Sequence, residues 1–311
     1  MAGRPTRLQV PRITRRRKGE GDVYATGSRM VPEETPVAFS YNGTTHAVMM
    51  ASPADMEDFA VGFSLSEGII ARLDEISEIA VEEHGEGIDI QLRLADVAGQ
   101  ELTDRRRRMA GPVGCGLCGI ESIEQALKPV ASVDATRLQL TPGDLAQAVR
   151  LLSPLQPLHN ETGAVHAAGF YVPGQGIVAA REDVGRHNAL DKLAGALCRA
   201  GISGASGAVV ITSRVSIEMV QKAAIIGASV LIAVSAPTAL AVRTAQAAGM
   251  TLVALVRGDE FDVFTRAERI PIAVNAVASA TDDTAASGKS NLDQASPTLV
   301  QSPTVRLVQY G

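Results

Sequence analysis

The chain has no tryptophan, and aromatic residues fill only 3% of its 311 positions. Its core must therefore be aliphatic and alanine-rich, and stacking of bases on exposed rings is not how it would hold nucleic acid. Cysteine is scarce and odd in number, at three. Nothing near the start supplies the apolar run of about 7–15 residues that a secretory signal requires, so a reducing cytoplasm is expected and a disulfide scaffold is not. Acid is absent from Met1 to Lys18, which carries seven Arg/Lys, so the remainder of a chain of net charge −5 is distinctly acidic. That arm reads as a solvated, disordered tail over 1–21, with no nucleic-acid partner expected. Charge is also missing from Ala223 to Val242. Length alone would allow a membrane span. However, Gly227, Ser229, Ser235, Pro237 and Thr238 interrupt the stretch, and Val230–Val234 is a β-branched run, which predicts helix, buried strand and helix.

At about 150 residues per domain, the length suggests two domains. The sequence divides into an N-terminal α+β region over 22–135, an α/β domain over 136–275 and a disordered tail over 276–311, where Ala, Ser, Thr, Asp, Gln and Pro follow no period. Ser52-Pro53-Ala54-Asp55 predicts a helix start with Ser52 as N-cap, and Met56, Phe59 and Phe63 share one face until Gly68. Thr141-Pro142-Gly143-Asp144 repeats that signal. From Ala208 to Val256 the pattern is β-α-β-α-β, the signature of a parallel sheet flanked by helices. Right-handed crossovers would bring Ser213-Arg214, Ser235 to Thr238 and Arg257-Gly258-Asp259 to one strand edge, where open α/β sheets bind ligands and helix N-termini favour phosphate.

Three segments carry chemistry. Cys115-Gly116-Leu117-Cys118 lies among glycines after the run Arg105 to Arg108. One C-x-x-C supplies two of the four ligands of a structural zinc, and the third thiol, Cys198, is isolated. A zinc staple, a thioredoxin-type dithiol and a thiolate that attacks and carries an electrophilic sulfur all remain open, the last favoured electrostatically by the arginines. His166 sits in a small-residue segment before an apolar run, where a lone histidine is weak evidence. Arg181 to Lys192 concentrates seven ionisable side chains around Gly185, with Arg186, His187 and Asn188 at a predicted helix start.

Together, Cys115-Gly-Leu-Cys118-Gly119, Thr162-Gly-Ala-Val-His166, Glu182-Asp-Val-Gly-Arg-His-Asn-Ala-Leu-Asp-Lys192, Arg214-Val-Ser-Ile-Glu-Met-Val-Gln-Lys222 and Ser235-Ala-Pro-Thr-Ala-Leu-Ala-Val242 resemble, in content and order, the FdhD/NarQ family. The resemblance runs from about Glu33 to about Ile270. It implies a cytidine deaminase-like fold, a mixed sheet between helix layers, with a smaller N-terminal α+β part. It also implies a cytoplasmic sulfurtransferase that takes persulfide sulfur from a cysteine desulfurase and passes it to the Mo-bis(molybdopterin guanine dinucleotide) destined for the molybdenum subunit of formate dehydrogenase. A deaminase is not implied, because the C-x-x-C precedes His166 and no Glu follows that histidine. By position, the persulfide-bearing thiol falls on Cys115 and the second cysteine on Cys118. The guanine-dinucleotide segment falls on Leu255, Val256, Arg257, Gly258, Asp259 and Glu260, where Asp259 would accept from guanine N–H groups and GDP would act as a mimic. Ser213, Arg214, Ser235, Thr238, His166, Arg186 and His187 complete the expected cofactor site. A homodimer is implied too, and no membrane partner is.

Overall fold

The computed structural model describes residues 4–18, 21–95, 99, 130–134, 137–271 and 305–307. Strands β1 (Arg7–Lys18) and β2 (Gly21–Pro32) form an antiparallel ribbon. Over Arg7–Lys18 this corrects the expected disordered tail 1–21. The register sets Ile13 opposite Thr26 and Arg15 opposite Tyr24, and the Arg15–Asp22 ion pair sits near the ribbon's end. β-Branched and aromatic residues with a cross-strand partner hold an extended chain that charge counting alone would leave unstructured.

A four-stranded sheet of order β4-β3-β6-β5 follows, built from β3 (Thr35–Tyr41), β4 (Thr44–Ala51), β5 (Ile76–His84) and β6 (Gly87–Leu94). Val37, Phe39 and Tyr41 on β3 and Ile88, Ile90 and Leu92 on β6 alternate inward, and helix α1 (Met56–Ser66) covers them with Phe59 and Phe63. The ring of Phe39 stacks on Phe63 at 4.2 Å and meets Phe59 edge-on at 4.9 Å. Each buried aromatic is worth about 1.5–3 kcal/mol relative to exposure. The helix starts later than Ser52 predicts. Asp55 occupies the N-cap in a left-handed conformation without a side-chain bond, and Ser52 is diverted to a tertiary network described below.

The larger unit is a seven-stranded mixed sheet of order β13-β12-β11-β10-β9-β7-β8. Helices α2 (Pro142–Leu152) and α3 (Pro157–Thr162) precede β7 (His166–Val172) and β8 (Gly176–Asp183), and α4 (Arg186–Arg199) leads to β9 (Ala208–Ile211). Next come α5 (Ile217–Ile226), β10 (Val230–Ala233), α6 (Ala239–Ala247), β11 (Thr251–Arg257) and β12 (Glu260–Thr265). Strands β9, β10 and β11 are parallel, as the alternating pattern predicts, and the uncharged stretch Ala223–Val242 divides into helix, strand and helix. Among the described residues no helix is long and apolar enough to cross a membrane.

Two cores flank this sheet. Leu190, Leu193, Met219, Val220, Ala241 and Ala245 from α4, α5 and α6 pack on one face, and Leu145, Ala148 and Leu152 from α2 pack on the other. The sheet therefore lies between helix layers, as expected. Thr141 caps α2 in a full capping box with Asp144. Val133 belongs to the first core and donates to Ala248 O, so residues 130–134 join the α/β unit and the expected boundary at 135 lies too late. At the other end, Val305–Leu307 forms β13 against the open edge of β12, within the expected disordered tail 276–311. A sheet edge presents unpaired backbone donors and acceptors that a short β-forming segment can satisfy.

The two units meet where α1 crosses α4. A Cβ on Gly62 would lie 1.7 Å from Asp191 O, and one on Gly195 would lie 1.8 Å from Asp58 O, so only glycine allows the backbones this close. Asp58 then bonds Arg181 Nη2 and Arg199 Nη1, each at 2.6 Å, across the junction.

Candidate functional site at the strand edge

Because β9, β10 and β11 run parallel while β7 runs against β9 and β8 against β7, one edge collects the ends of β8, β9, β10 and β11 and the start of β7. Across the sheet that edge presents Leu255 to Glu260, then Ser235 to Thr238, then Thr212 to Arg214, then His166, then Asp183 to His187. The expected residues from Ser213, Ser235 and His166 to Leu255 therefore lie along one edge. Thr212 anchors its middle, donating its N–H to Ala167 O at 3.1 Å and accepting from Ala167 N at 3.0 Å. Val215 N donates to Ala236 O and Thr238 N to Val215 O, so the loops after β9 and β10 are laced together. Thr238 also caps α6 by accepting from Ala241 N. Its oxygen is thus partly committed to the helix that it starts.

Leu255 is the irregular point. It adopts φ 58° within a register shift of β11 against β12, and its N–H approaches Ser235 O at 3.4 Å. A non-glycine residue in the left-handed region costs of order 1–3 kcal/mol and tends to sit where function over-determines the backbone. Beyond it β11 overshoots the edge and turns through Gly258 (φ 60°) and Asp259 into β12. Arg257, Asp259 and Glu260 are exposed on this turn, whereas Val256 is buried in the α2-side core with Phe261, so Val256 offers a ligand only its backbone. The expected exit at Arg257 leads into a hairpin, and anion binding there rests on the side chain of Arg257 with no helix N-terminus behind it.

At the other end of the edge, α4 begins at Arg186 with Gly185 as N-cap. His187 is mostly buried, and its Nε2 has no hydrogen-bond partner among the described residues. Burial first, and then the positive charges of Arg186 and Lys222, push its pKa down to about 4. His166 is lowered as well, by burial and then by Arg186. Both imidazoles are therefore neutral at pH 7, able to give or take a proton, beside cations that suit an anion. Among the described residues Arg186, Arg214 and Arg257 take part in no ion pair.

Beneath this turn is a buried ionic network that sequence reasoning missed. Asp183 and Lys192 are fully buried, 2.6 Å apart. Asp183 also accepts from Gly185 N at 2.7 Å, Asn188 Nδ2 at 2.9 Å and Ser52 N at 3.0 Å, while Lys192 donates to Ser52 O and lies 5.4 Å above the Phe59 ring. One turn further, Lys222 bonds both oxygens of Asp191, which also accepts from Ser66. Burial raises the pKa of Asp191 against the pull of Lys222. These pairs fix the Gly185–His187 turn and tie it to the N-terminal unit. The charge density of 181–192 was visible in the sequence, but its partners Ser52 and Ser66 are more than a hundred residues away. Cys115 and Cys118 lie outside the described residues. Cys198, on α4, is half-buried and its thiol is raised by burial, which makes it a poor nucleophile at neutral pH.

The sequence profile of the FdhD/NarQ family matches residues 32–271. A protein of Agrobacterium fabrum named sulfur carrier protein FdhD is 62% identical over 246 residues, covering 79% of this chain and 91% of that one. One of the same name from Brucella abortus is 58% identical over 247 residues, covering 79% and 92%. Among solved structures, a protein of Desulfotalea psychrophila described as a formate dehydrogenase accessory protein superposes with a TM-score of 0.64 at 27% identity, over 85% of this chain and 99% of that one. With its motifs, its mixed sheet and relatives this similar over most of their length, the chain belongs to the FdhD/NarQ family.

Proposed function

We propose that this chain is a sulfur carrier that acts as a sulfurtransferase in the cytoplasm, supplying sulfur for a formate dehydrogenase. The Cys115 thiolate attacks the outer sulfur of a cysteine desulfurase persulfide. The donor's S–S bond breaks, its cysteine leaves as a thiolate that takes up a proton from solvent, and Cys115 carries the sulfur as a new persulfide until it reaches the molybdenum substrate. Cys118 assists or resolves. The observation that carries this reading is the 62% identity, over nearly the whole of that relative, to a protein named as a sulfur carrier.

The substrate for delivery is Mo-bis(molybdopterin guanine dinucleotide), held at the strand edge. A pyrophosphate needs cations or helix N-termini, and Arg186, Arg214 and the first turns of α5 and α6 meet that need. Arg257 reaches it from the projecting hairpin, and Asp259 accepts from the guanine N1–H and amine. His166, His187, Ser213, Ser235 and Thr238 line the same edge.

Labelled sulfur transfer from a desulfurase tests the first step. Wild-type protein is expected to gain one sulfane sulfur on Cys115, seen by mass spectrometry, and Cys115→Ser is expected to gain none. Stoichiometric zinc lost on mutating either cysteine, with no sulfur carried, would overturn the reading in favour of a zinc-stapled chaperone. Calorimetric titration with GDP and ADP tests the site. Arg257→Ala is expected to weaken GDP by about 1.5–3 kcal/mol, and Asp259→Ala to erode the preference for GDP over ADP. Equal affinity for both nucleotides in the wild type would place the cofactor elsewhere.

A further inference from the structure

The outer edge of β12 is used neither by the sulfur chemistry nor by the cofactor edge. β12 reads Glu260-Phe-Asp-Val-Phe-Thr265, with no lysine or proline to deter a further strand. Phe261 and Val263 are buried in the α2-side core, and Asp262 stands between them at a part-exposed position. There β13 pairs in parallel, setting Val305 beside Phe261, Arg306 beside Asp262 and Leu307 beside Val263. A register shift of β12 against β11 past Val263 ends the straight part of the edge, which is where β13 stops.

Two features mark β13 as a replaceable cover. With three residues it is the shortest strand among those described, and it arrives from far beyond β12, so a few backbone bonds must offset the entropy of closing a long loop. It also comes from outside the part of the chain shared with relatives, because the family profile ends at residue 271. Within the described residues of that shared part, no strand lies on the outer edge of β12. An open edge of this kind is a template for strand addition, in which backbone bonds supply affinity and alternate side chains supply selectivity. The carboxylate of Asp262 between two apolar positions favours a cation at the middle of the incoming strand.

We propose that the outer edge of β12 is a strand-addition site for an extended partner segment of the pattern apolar–cation–apolar, and that the chain's own β13 occupies the site when no partner is bound. The inference does not rest on the sulfur-carrier reading, since backbone pairing on β12 requires neither a cysteine nor a nucleotide. A partner strand in the same register would lie beside Phe261, directly after the turn that carries Arg257 to Glu260.

Hydrogen exchange of the full chain is the first measurement. Arg306→Pro removes a backbone donor within β13, and it is expected to speed exchange over residues 260–265 while the melting of the body stays as in the wild type. A labelled peptide of residues 302–310 is then expected to bind the Arg306→Pro chain more tightly than the wild type, by about tenfold if the wild-type edge is open a tenth of the time. The same peptide methylated on its backbone nitrogens from Val305 to Leu307 should not bind. One carrying Val305→Ile, Arg306→Lys and Leu307→Ile should bind as well as the parent, because the edge reads backbone and pattern. Arg306→Glu in the peptide should weaken binding, and Asp262→Lys in the Arg306→Pro chain should restore it. Exchange over 260–265 indifferent to Arg306→Pro, equal peptide binding to both chains, or binding that survives backbone methylation would overturn the proposal. Failure of the triply substituted peptide to bind would restrict the edge to the chain's own tail and refute the partner segment. Protection of 260–265 that rises with the concentration of wild-type chain would assign the cover to the tail of another copy and overturn closure within one chain.

Discussion

Gly195→Ala probes the crossing that joins the two units. An alanine Cβ there would sit 1.8 Å from Asp58 O and 2.9 Å from Gly62 N, against ordinary contact that begins near 3.4 Å, so α1 and α4 would have to part by about 1.6 Å. Neither obstacle is a side chain that can rotate away. Overpacking of this kind costs about 1–3 kcal/mol and sometimes more, and the separation also loosens the Asp58 bonds to Arg181 and Arg199. Alanine returns about 1 kcal/mol through its higher helix propensity. With the loosened Asp58 bonds added, the expected net loss is about 1–3 kcal/mol, which for a fold of this size lowers Tm by roughly 2–12 °C. The matched control is Gly143→Ala on α2, whose Cβ would meet only Thr141 Oγ1 at 3.7 Å. That change is expected to be neutral or to stabilise by about 0.5–1 kcal/mol. Thermal and denaturant melts of both variants decide the matter. A Gly195→Ala protein as stable as the wild type would refute the close crossing and the account of how the N-terminal unit is held.

The buried network gives a second test: Asp183→Ala is expected to cost about 3–5 kcal/mol in denaturant melts because it strands the buried Lys192 charge. Lys192→Met should cost less, since Asp183 keeps its N–H donors from Ser52, Gly185 and Asn188. His187 has a folded pKa pushed down to about 4, so its contribution to stability is complete above the unfolded value near 6.5 and is lost as pH falls toward 4. Between pH 7 and pH 5 that amounts to about 2 kcal/mol, and His187→Gln should remove that share of the acid sensitivity; an unchanged pH profile in the variant would exclude His187 as its source. Thr141→Ala should cost about 1 kcal/mol through loss of the N-cap, whereas Asp144→Ala should cost more, because Asp144 also accepts from the hydroxyl of the buried Tyr171 at 2.6 Å. Chemical denaturation of the two variants ranks them.

Local chemistry was legible along the chain. The β-α-β-α-β run from Ala208 was readable because buried parallel strands are short β-branched stretches and their helices carry their own starts and stops, so no distant partner is needed to recognise them. The capping box of Thr141 and Asp144 spans three residues and was equally plain. Strand direction then brought His166, Arg186, Ser213, Ser235 and Leu255 to one edge. What the tertiary structure alone decided was set by contacts across long stretches of sequence. Ser52 looked like a helix cap, but its hydroxyl accepts from Val184 N and its N–H donates to the buried carboxylate of Asp183, 131 residues later, so the oxygen that would have capped α1 is engaged elsewhere. The basic arm looked unstructured because its own composition has no core, yet a facing strand satisfies its backbone. The left-handed Leu255 and the fused glycines of α1 and α4 had no local signature at all, since each is imposed by what another element places against it.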